Sequence, residues 1–403
     1  MEFSLSPKAT EYAAKLQAFM DTEVFPAEAT YHRQREEFFA AGTPHKLPPV
    51  VEELKKKAKA QGLWNLFLPH LDHGLTVTDY ATLAEITGWS PDIAPEAINC
   101  AAPDTGNMEL LDMFGTPEQK KNWLEPLLAG EIRSGFAMTE PDVASSDARN
   151  IKTSITKDGD HYIINGTKWW TTGAMDERCK ILIVMGKTNP DAEDHKQQSM
   201  ILVPIDTPGV TVVRNLSVLG FIDQHGHAEV RFDKVRVPAS HLIGSEGEGF
   251  ALAQARLGPG RIHHCMRAIG MAERALSLMI KRSLTRTTFG KELARQGVIQ
   301  EWIAQARIDI EQSRLLVLKA AWIIDNHGAK AARKEIAAIK VAIPRMAEQI
   351  INNAIQAHGG AGVSQDTPLA AMYAGVRTLR IVDGPDEVHL RDIARLELKP
   401  YIS

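Results

Sequence analysis

Between Phe136 and Gly173 the chain carries Phe-Ala-Met-Thr-Glu-Pro (136–141) and Asn-Gly-Thr-Lys-Trp-Trp-Thr-Thr-Gly (165–173). Two tryptophans followed by two threonines, at what reads as a strand end, offer a flat apolar wall with hydroxyls beside it. A planar ring with polar edges can stack and be hydrogen-bonded there, and a flavin isoalloxazine is a ring of that kind. The structural alternative is a packed pair, because successive strand side chains point to opposite faces. Near the other end, Asp383-Gly384-Pro385 precedes the last helical stretch. Asp383, Asp386, Glu387, His389 and Asp392 are oxygen-rich, as hard-cation sites are. Helical spacing spreads them over several faces, so no metal site is expected. His263-His264 and His225/His227 are read as core or surface histidines rather than ligands.

The elements that must position these groups fall into three blocks. Residues 1–131 read as a helical domain. Ser6-Pro7 starts a helix with proline at its first position. Val51, Leu54 and Ala58 repeat at helical spacing before Gly62, and Thr116-Pro117-Glu118-Gln119 forms a capping box whose helix ends at Gly130. Residues 132–243 hold short β-branched runs at 151–156, 162–164, 181–185, 200–204 and 210–213, separated by turns such as Asp158-Gly159-Asp160 and Pro208-Gly209. They predict an antiparallel sheet. Ala228–Pro238 alternates cleanly and should be half exposed. Residues 244–403 are helical again, with long stretches at 249–285, 298–327 and 330–358 that predict a bundle. Gly258-Pro259-Gly260 should kink the first. The fold class is α+β, mostly α. No alternating βαβ units appear, and neither 244–249 nor 359–362 has the glycine spacing of a Rossmann fingerprint.

Composition excludes several classes. The formal net charge is -4 over 403 residues, so no basic field suggests nucleic acid. No apolar stretch approaches the ~20 residues that span a bilayer. The N-terminal stretch shows no secretory pattern and the C-terminus no peroxisomal tripeptide. Cys100, Cys179 and Cys265 are widely spaced, which fits buried thiols in a reducing compartment. Cytoplasm is the default.

Over nearly its whole length the sequence resembles the acyl-CoA dehydrogenases. The motifs are Met-Thr-Glu-Pro (138–141), Tyr-Ile-Ile-Asn-Gly-Thr-Lys-Trp-Trp (162–170), Phe-Asp-Lys-Val-Arg-Val-Pro (232–238), Gly-Glu-Gly-Phe (247–250), Arg286 with Thr-Phe-Gly-Lys (288–291), and Gln-Ala-His-Gly-Gly-Ala-Gly (356–362). The helix–sheet–helix order also matches that fold. The resemblance implies FAD, bound across the sheet domain, the bundle and a neighbouring subunit. Phe136, Met138 and Thr139 would face the pyrimidine side, with Ser145 also on the cofactor. Trp170 would lie against the ring and Thr172 donate toward N5, where donors stabilise incoming negative charge. Arg286 would meet the pyrophosphate, Phe289, Gln356, Gly359 and Gly360 would complete those contacts, and Pro385 and Glu387 would also touch the cofactor. Ser146, Arg261 and Gly384 would contact the CoA ester.

The family's general base is a carboxylate in a Glu-Gly-Thr-type turn, matched here by Asp383-Gly384-Pro385. Asp383 would take a proton from the carbon next to the thioester carbonyl while hydride leaves the next carbon. Its backbone N–H, with a ribityl hydroxyl, would hold the thioester oxygen. Aspartate is shorter than glutamate by one bond, ~1.5 Å, and misplacement of ~1 Å costs on the order of a hundredfold in rate. Either the turn sits closer to the substrate or the reaction differs. The Asp-Gly-Pro-Asp-Glu-Val-His run and Met-Thr-Glu-Pro-Asp-Val-Ala-Ser-Ser-Asp (138–147) resemble the branch of acyl-CoA dehydrogenase family members ten and eleven, associated with long-chain acyl-CoAs and 4-hydroxy acids. The implied partners are an acyl-CoA, an electron-transferring flavoprotein and further copies of the chain in a dimer or tetramer. The competing readings are a flavin oxidase or monooxygenase of the same fold, nitroalkane-oxidase-like, and a non-catalytic scaffold subunit.

Overall fold

The computed structural model describes residues 5–69, 71 and 74–402. The first residues of the N-terminal stretch, and Ser403 of the C-terminal tripeptide, lie outside them. The described chain forms two compact units. One comprises residues 27–57 and 96–260, the other residues 5–26, 58–95 and 261–402.

The first unit is built on one sheet. Its strands are β1 (Arg133–Ala137), β2 (Ser154–Asp158), β3 (His161–Thr172), β4 (Cys179–Lys187), β5 (Gln198–Pro204), β6 (Val210–Asn215), β7 (His227–Pro238) and β8 (Leu242–Ile243). Their order is β6-β7-β3-β2-β4-β5-β8, with β1 also on β4. The pairing is antiparallel as expected, except that β1 and β2 run parallel to β4. β4 lies inside the sheet and is buried from Ile181 to Gly186, the continuous apolar run of a strand covered on both faces. Ile155, Tyr162, Ile164, Leu182, Val203, Val230 and Phe232 fill the core.

The alternation expected in β7 holds from Ala228 to Phe232 and resumes at Val235. Between them Lys234 adopts φ +52° and its N–H donates to Asn165 Oδ1 at 2.8 Å. This is a bulge, and it shifts the register at Gly166. Asn165-Gly166 therefore does not end a strand. β3 runs through it to Thr172.

The helical starts lie where their capping chemistry puts them. Ser6 Oγ accepts from Ala9 N at 3.0 Å, and both arms of the Thr116–Gln119 capping box are made. Gly130 closes that segment in the left-handed conformation, φ +72°. In the second unit the helices Gly297–His327 and Arg333–His358 pack together, and Asp386–Leu398 lies on the latter. The helix Gly249–Thr285 runs unbroken through Gly258–Gly260, so the glycines and Pro259 do not end it. Within the second unit it meets the helix Val77–Thr87 at backbone contact. A side chain on Gly270 would come 2.0 Å from the Glu85 carbonyl oxygen, and one on Gly88 2.1 Å from that of Arg267. Among the described residues no helix is long and apolar enough to cross a membrane.

Candidate active site

In the sheet unit the two motifs of the 136–173 stretch are joined by a buried ion pair. Lys168 Nζ donates to Glu140 Oε1 at 2.9 Å and to the Met138 carbonyl at 2.8 Å. Glu140 also accepts the backbone N–H groups of Lys152 and Thr153. Burial pushes Lys168 down to about 8, against the pull of Glu140. This lysine thus fastens the Met-Thr-Glu-Pro turn to β3. Sequence reading missed it, because lysine ordinarily reads as solvent-facing. Ser145 Oγ accepts from Glu140 N at 2.9 Å, so this expected cofactor ligand also closes the turn. Ser146 is exposed.

Two residues beyond Lys168 the strand is deformed. Three steps along β3, from Lys168 to Thr171, face two along β7, from Val230 to Ala228. The extra residue leaves Trp170 at φ +52°, in the left-handed region that an aromatic residue rarely occupies. Its ring is 40% exposed. Trp169 lies edge-on to it at 6.3 Å, and Trp169 N–H is fixed to the Thr139 carbonyl at 2.9 Å. Gly173, φ +90°, ends the segment where a side chain would come 2.6 Å from the Ser134 carbonyl oxygen. Thr139 is exposed and Phe136 half-buried, with the Arg256 guanidinium 4.0 Å over the Phe136 ring. Arg256 also donates to Asn107 Oδ1 at 2.9 Å. An aromatic face turned outward by a strained bulge, with hydroxyls of Thr139 and Thr172 in the same unit, suits a planar polar-edged ring. The sheet unit therefore fits a flavin. Backbone strain of this kind persists where the surroundings over-determine it, and it clusters at functional sites.

In the helical unit Asp383 has φ +56° and Gly384 φ +100°. The turn is closed beneath by Asp386, which is buried and accepts from Arg345 Nε and Arg380 Nε, both at 2.9 Å. The Asp383 carbonyl accepts from Arg261 Nε at 2.9 Å and faces His389 Nε2 at 3.3 Å. Its carboxylate lies 3.7 Å from His264 Nε2 and is mostly buried. Arg261, expected on the CoA ester, is thus a holder of the Asp383 turn. Pro385 occupies the N-cap position of the last helix, and Glu387 is exposed in its first turn.

Five other expected cofactor contacts stand at the surface. Phe289 and Gly290, at φ +49° and +80°, form the two-residue turn of a hairpin, Thr287–Thr288 against Lys291–Glu292. The Phe289 ring is 97% exposed, and Arg286 is exposed beside it. Gln356, Gly359 and Gly360 are exposed at the end of the helix Arg333–His358. No metal-ligating cluster appears among the described residues. His263 is buried in ring contact with Tyr80, 5.0 Å between centroids.

Burial, with Arg261 and Lys340 nearby, pushes His389 down to about 4 from 6.5. Burial likewise lowers His263, His45 and His225. Between the folded and unfolded values the unfolded chain binds the extra proton, so stability falls as pH drops. For His389 the full span corresponds to about 3 kcal/mol. The melting temperature should therefore decline from about pH 6.5 toward pH 4. His389→Gln should flatten that limb in a calorimetric pH series. An unchanged limb would contradict the assignment of His389 as a neutral residue.

Comparisons with known proteins agree with this anatomy. Family models described as the N-terminal, middle and C-terminal domains of acyl-CoA dehydrogenase match residues 6–131, 135–235 and 247–398. FadE2 of Mycobacterium tuberculosis, which bears the name of an acyl-CoA dehydrogenase, is 63% identical over 399 residues, covering 99% of this chain and 97% of that protein. Acyl-CoA dehydrogenase family member 11 of Homo sapiens is 54% identical over 404 residues, covering 98% of this chain. The present chain spans about half of that relative's length, 51%. A solved structure described as an acyl-CoA dehydrogenase from Mycobacterium abscessus superposes with a TM-score of 0.96 at 51% identity, covering 99% of this chain and all of the other. The chain belongs to the acyl-CoA dehydrogenase family.

Proposed function

We propose that the protein oxidises an acyl-CoA thioester to its trans-2-enoyl-CoA with FAD as cofactor, Asp383 being the base. The observation that carries this reading is the Asp383 turn. A carboxylate at φ +56°, its carbonyl held by Arg261 and its turn closed by the buried Asp386, is fixed in place at a conformational cost. Such strain points to a functional role for the residue. The Asp383 backbone N–H, with a ribityl hydroxyl of the cofactor, is the proposed donor for the developing enolate oxygen.

FAD, when bound, supplies the hydride acceptor at its N5. The chain's own contribution is the rest. Trp170 presents a flat face, Thr172 a hydroxyl, and Asp383 removes the proton from the carbon next to the thioester carbonyl. Phe289 and Arg286 stand on an exposed hairpin, which supports a second copy of the chain as their cover, in a dimer or tetramer. An electron-transferring flavoprotein is the proposed acceptor.

The test separates this reaction from nitroalkane oxidation on the same fold. Anaerobic addition of saturated acyl-CoAs over a range of chain lengths should bleach the visible flavin band, and nitroethane in air should drive no oxygen uptake. Rapid oxygen uptake with nitroethane, with acyl-CoAs inert, would replace this reading by the oxidase one.

A further inference from the structure

Thr172 and His227 are opposite each other in the β3–β7 register. Thr172 Oγ1 lies 2.9 Å from His227 Nδ1, and His227 Nε2 lies 2.8 Å from Asp223 Oδ2. The imidazole ring stands beside the Trp170 indole, with centroids 5.6 Å apart. Exposure grows from the imidazole to the carboxylate. The His227 side chain is 14% exposed and that of Asp223 51%. A hydroxyl, an imidazole and a carboxylate thus run in line from the strand face to solvent. We propose that Thr172, His227 and Asp223 form a proton relay that serves the flavin's N5 position. The proposal rests on the FAD site above, and it adds a function to two residues, His227 and Asp223, that would not touch the ring.

The chemistry follows from donor and acceptor counts. An ionised Asp223 only accepts, so the proton between it and the ring belongs to Nε2. A neutral ring then has a bare Nδ1, which accepts from the Thr172 hydroxyl. Reoxidation of the reduced flavin releases two electrons and one proton. The electrons go to one-electron acceptors. With FAD bound, the proton released at N5 would pass to the Thr172 oxygen as that hydroxyl's own proton passes to Nδ1. His227 becomes an imidazolium paired with Asp223, then returns its extra proton to water at the exposed end, and nothing is left over. With the ring doubly protonated, Nδ1 would instead donate to Thr172, freeing the hydroxyl to donate toward N5.

The other groups around the ring leave this role to Asp223. His225 shares the loop and is held neutral by burial. Arg35 acts on Asp223 and binds the loop through the Ile222 carbonyl at 3.0 Å. Glu229 is paired with Arg214 at 2.7 Å. From β6, Asn215 accepts the His227 backbone N–H at 2.9 Å.

Dithionite can reduce the FAD-loaded protein without any acyl-CoA, and ferricenium can reoxidise it one electron at a time. The parent's reoxidation rate should fall in deuterium oxide. His227→Gln should be on the order of a hundredfold slower, and lose that isotope effect, while keeping its FAD. Asp223→Asn, on the exposed end, should be slowed in the same direction. A His227→Gln protein that reoxidises at the parent rate with the parent isotope effect overturns the relay. So does a parent rate unaffected by deuterium oxide, however the variants fold. A readout independent of the flavin is the ring itself. In protein labelled with 15N-histidine, before FAD is added, His227 should carry its proton on Nε2 at neutral pH, and the opposite tautomer overturns the relay. Failure of acyl-CoA to bleach the flavin would instead sink the proposed function and leave these measurements standing.

Discussion

Glu140→Gln is expected to destabilise the protein by about 3–5 kcal/mol, the cost of breaking a buried pair by removing one partner, and to empty the flavin site. Lys168 is fully buried and Glu140 nearly so. The glutamate carboxylate neutralises the lysine and accepts two backbone N–H groups from Lys152 and Thr153. Glutamine keeps the shape and one oxygen acceptor, but it leaves Lys168 with no counter-charge beyond the Met138 carbonyl dipole. The lysine would then lose its proton near neutrality, since burial already pushes it down to about 8 with the glutamate present. Because the pair ties the Met-Thr-Glu-Pro turn to β3, two residues before the Trp170–Thr172 segment, loosening it should release Trp170 from its strained conformation. Denaturant unfolding together with the FAD-to-protein absorbance ratio measures both effects. A Glu140→Gln protein with parent stability and full FAD content would contradict the role given to the pair.

Much of this architecture is written in local chemistry. Ser6-Pro7 and Thr116-Pro117-Glu118-Gln119 specify helix starts through groups within three residues of each other, and the long amphipathic stretches specify the bundle. The antiparallel pairs β2–β3 and β4–β5 come from short apolar runs between turn residues. What was not legible depends on partners distant in sequence. The parallel pairing of β1 with β4 joins residues 46 or 47 positions apart, and no local pattern announces it. The apolar run at 162–164 is short, yet with the bulge at Lys234 β3 continues through Asn165-Gly166 to Thr172. Pro344 lies inside the helix Arg333–His358 without ending it.

Among the expected site residues the types could be named from the sequence, but their conformations could not. Trp170, Phe289 and Asp383 all adopt positive φ. Glycine or asparagine would have signalled such a backbone, and aspartate does so more weakly, whereas tryptophan and phenylalanine do not. Lys168 and His227 were hidden for a related reason. A lysine reads as solvated, and a histidine as core or surface, until the structure places a carboxylate against each, Glu140 for one and Asp223 for the other.

Asp383→Asn carries the largest expected effect on rate. Asparagine matches aspartate in volume and in the reach of its side chain, and it can occupy the left-handed region at least as readily. The contacts that set the turn are made by the backbone carbonyl and by Asp386, so they survive the substitution. What disappears is the ability to take a proton. Loss of a positioned general base slows a reaction by typically 10²–10⁴-fold. Holding FAD and binding the thioester should be nearly unaffected, which separates this variant from one that fails to fold.

The most direct measurement is therefore a single anaerobic turnover, in which the FAD-loaded parent and its Asp383→Asn variant are mixed with the same saturated acyl-CoA and followed at the visible flavin band. The parent should bleach and yield the trans-2-enoyl-CoA mole for mole with its flavin, while the variant binds the ligand and stays yellow over the same interval. A variant that bleaches at the parent's rate would show that residue 383 is not the base.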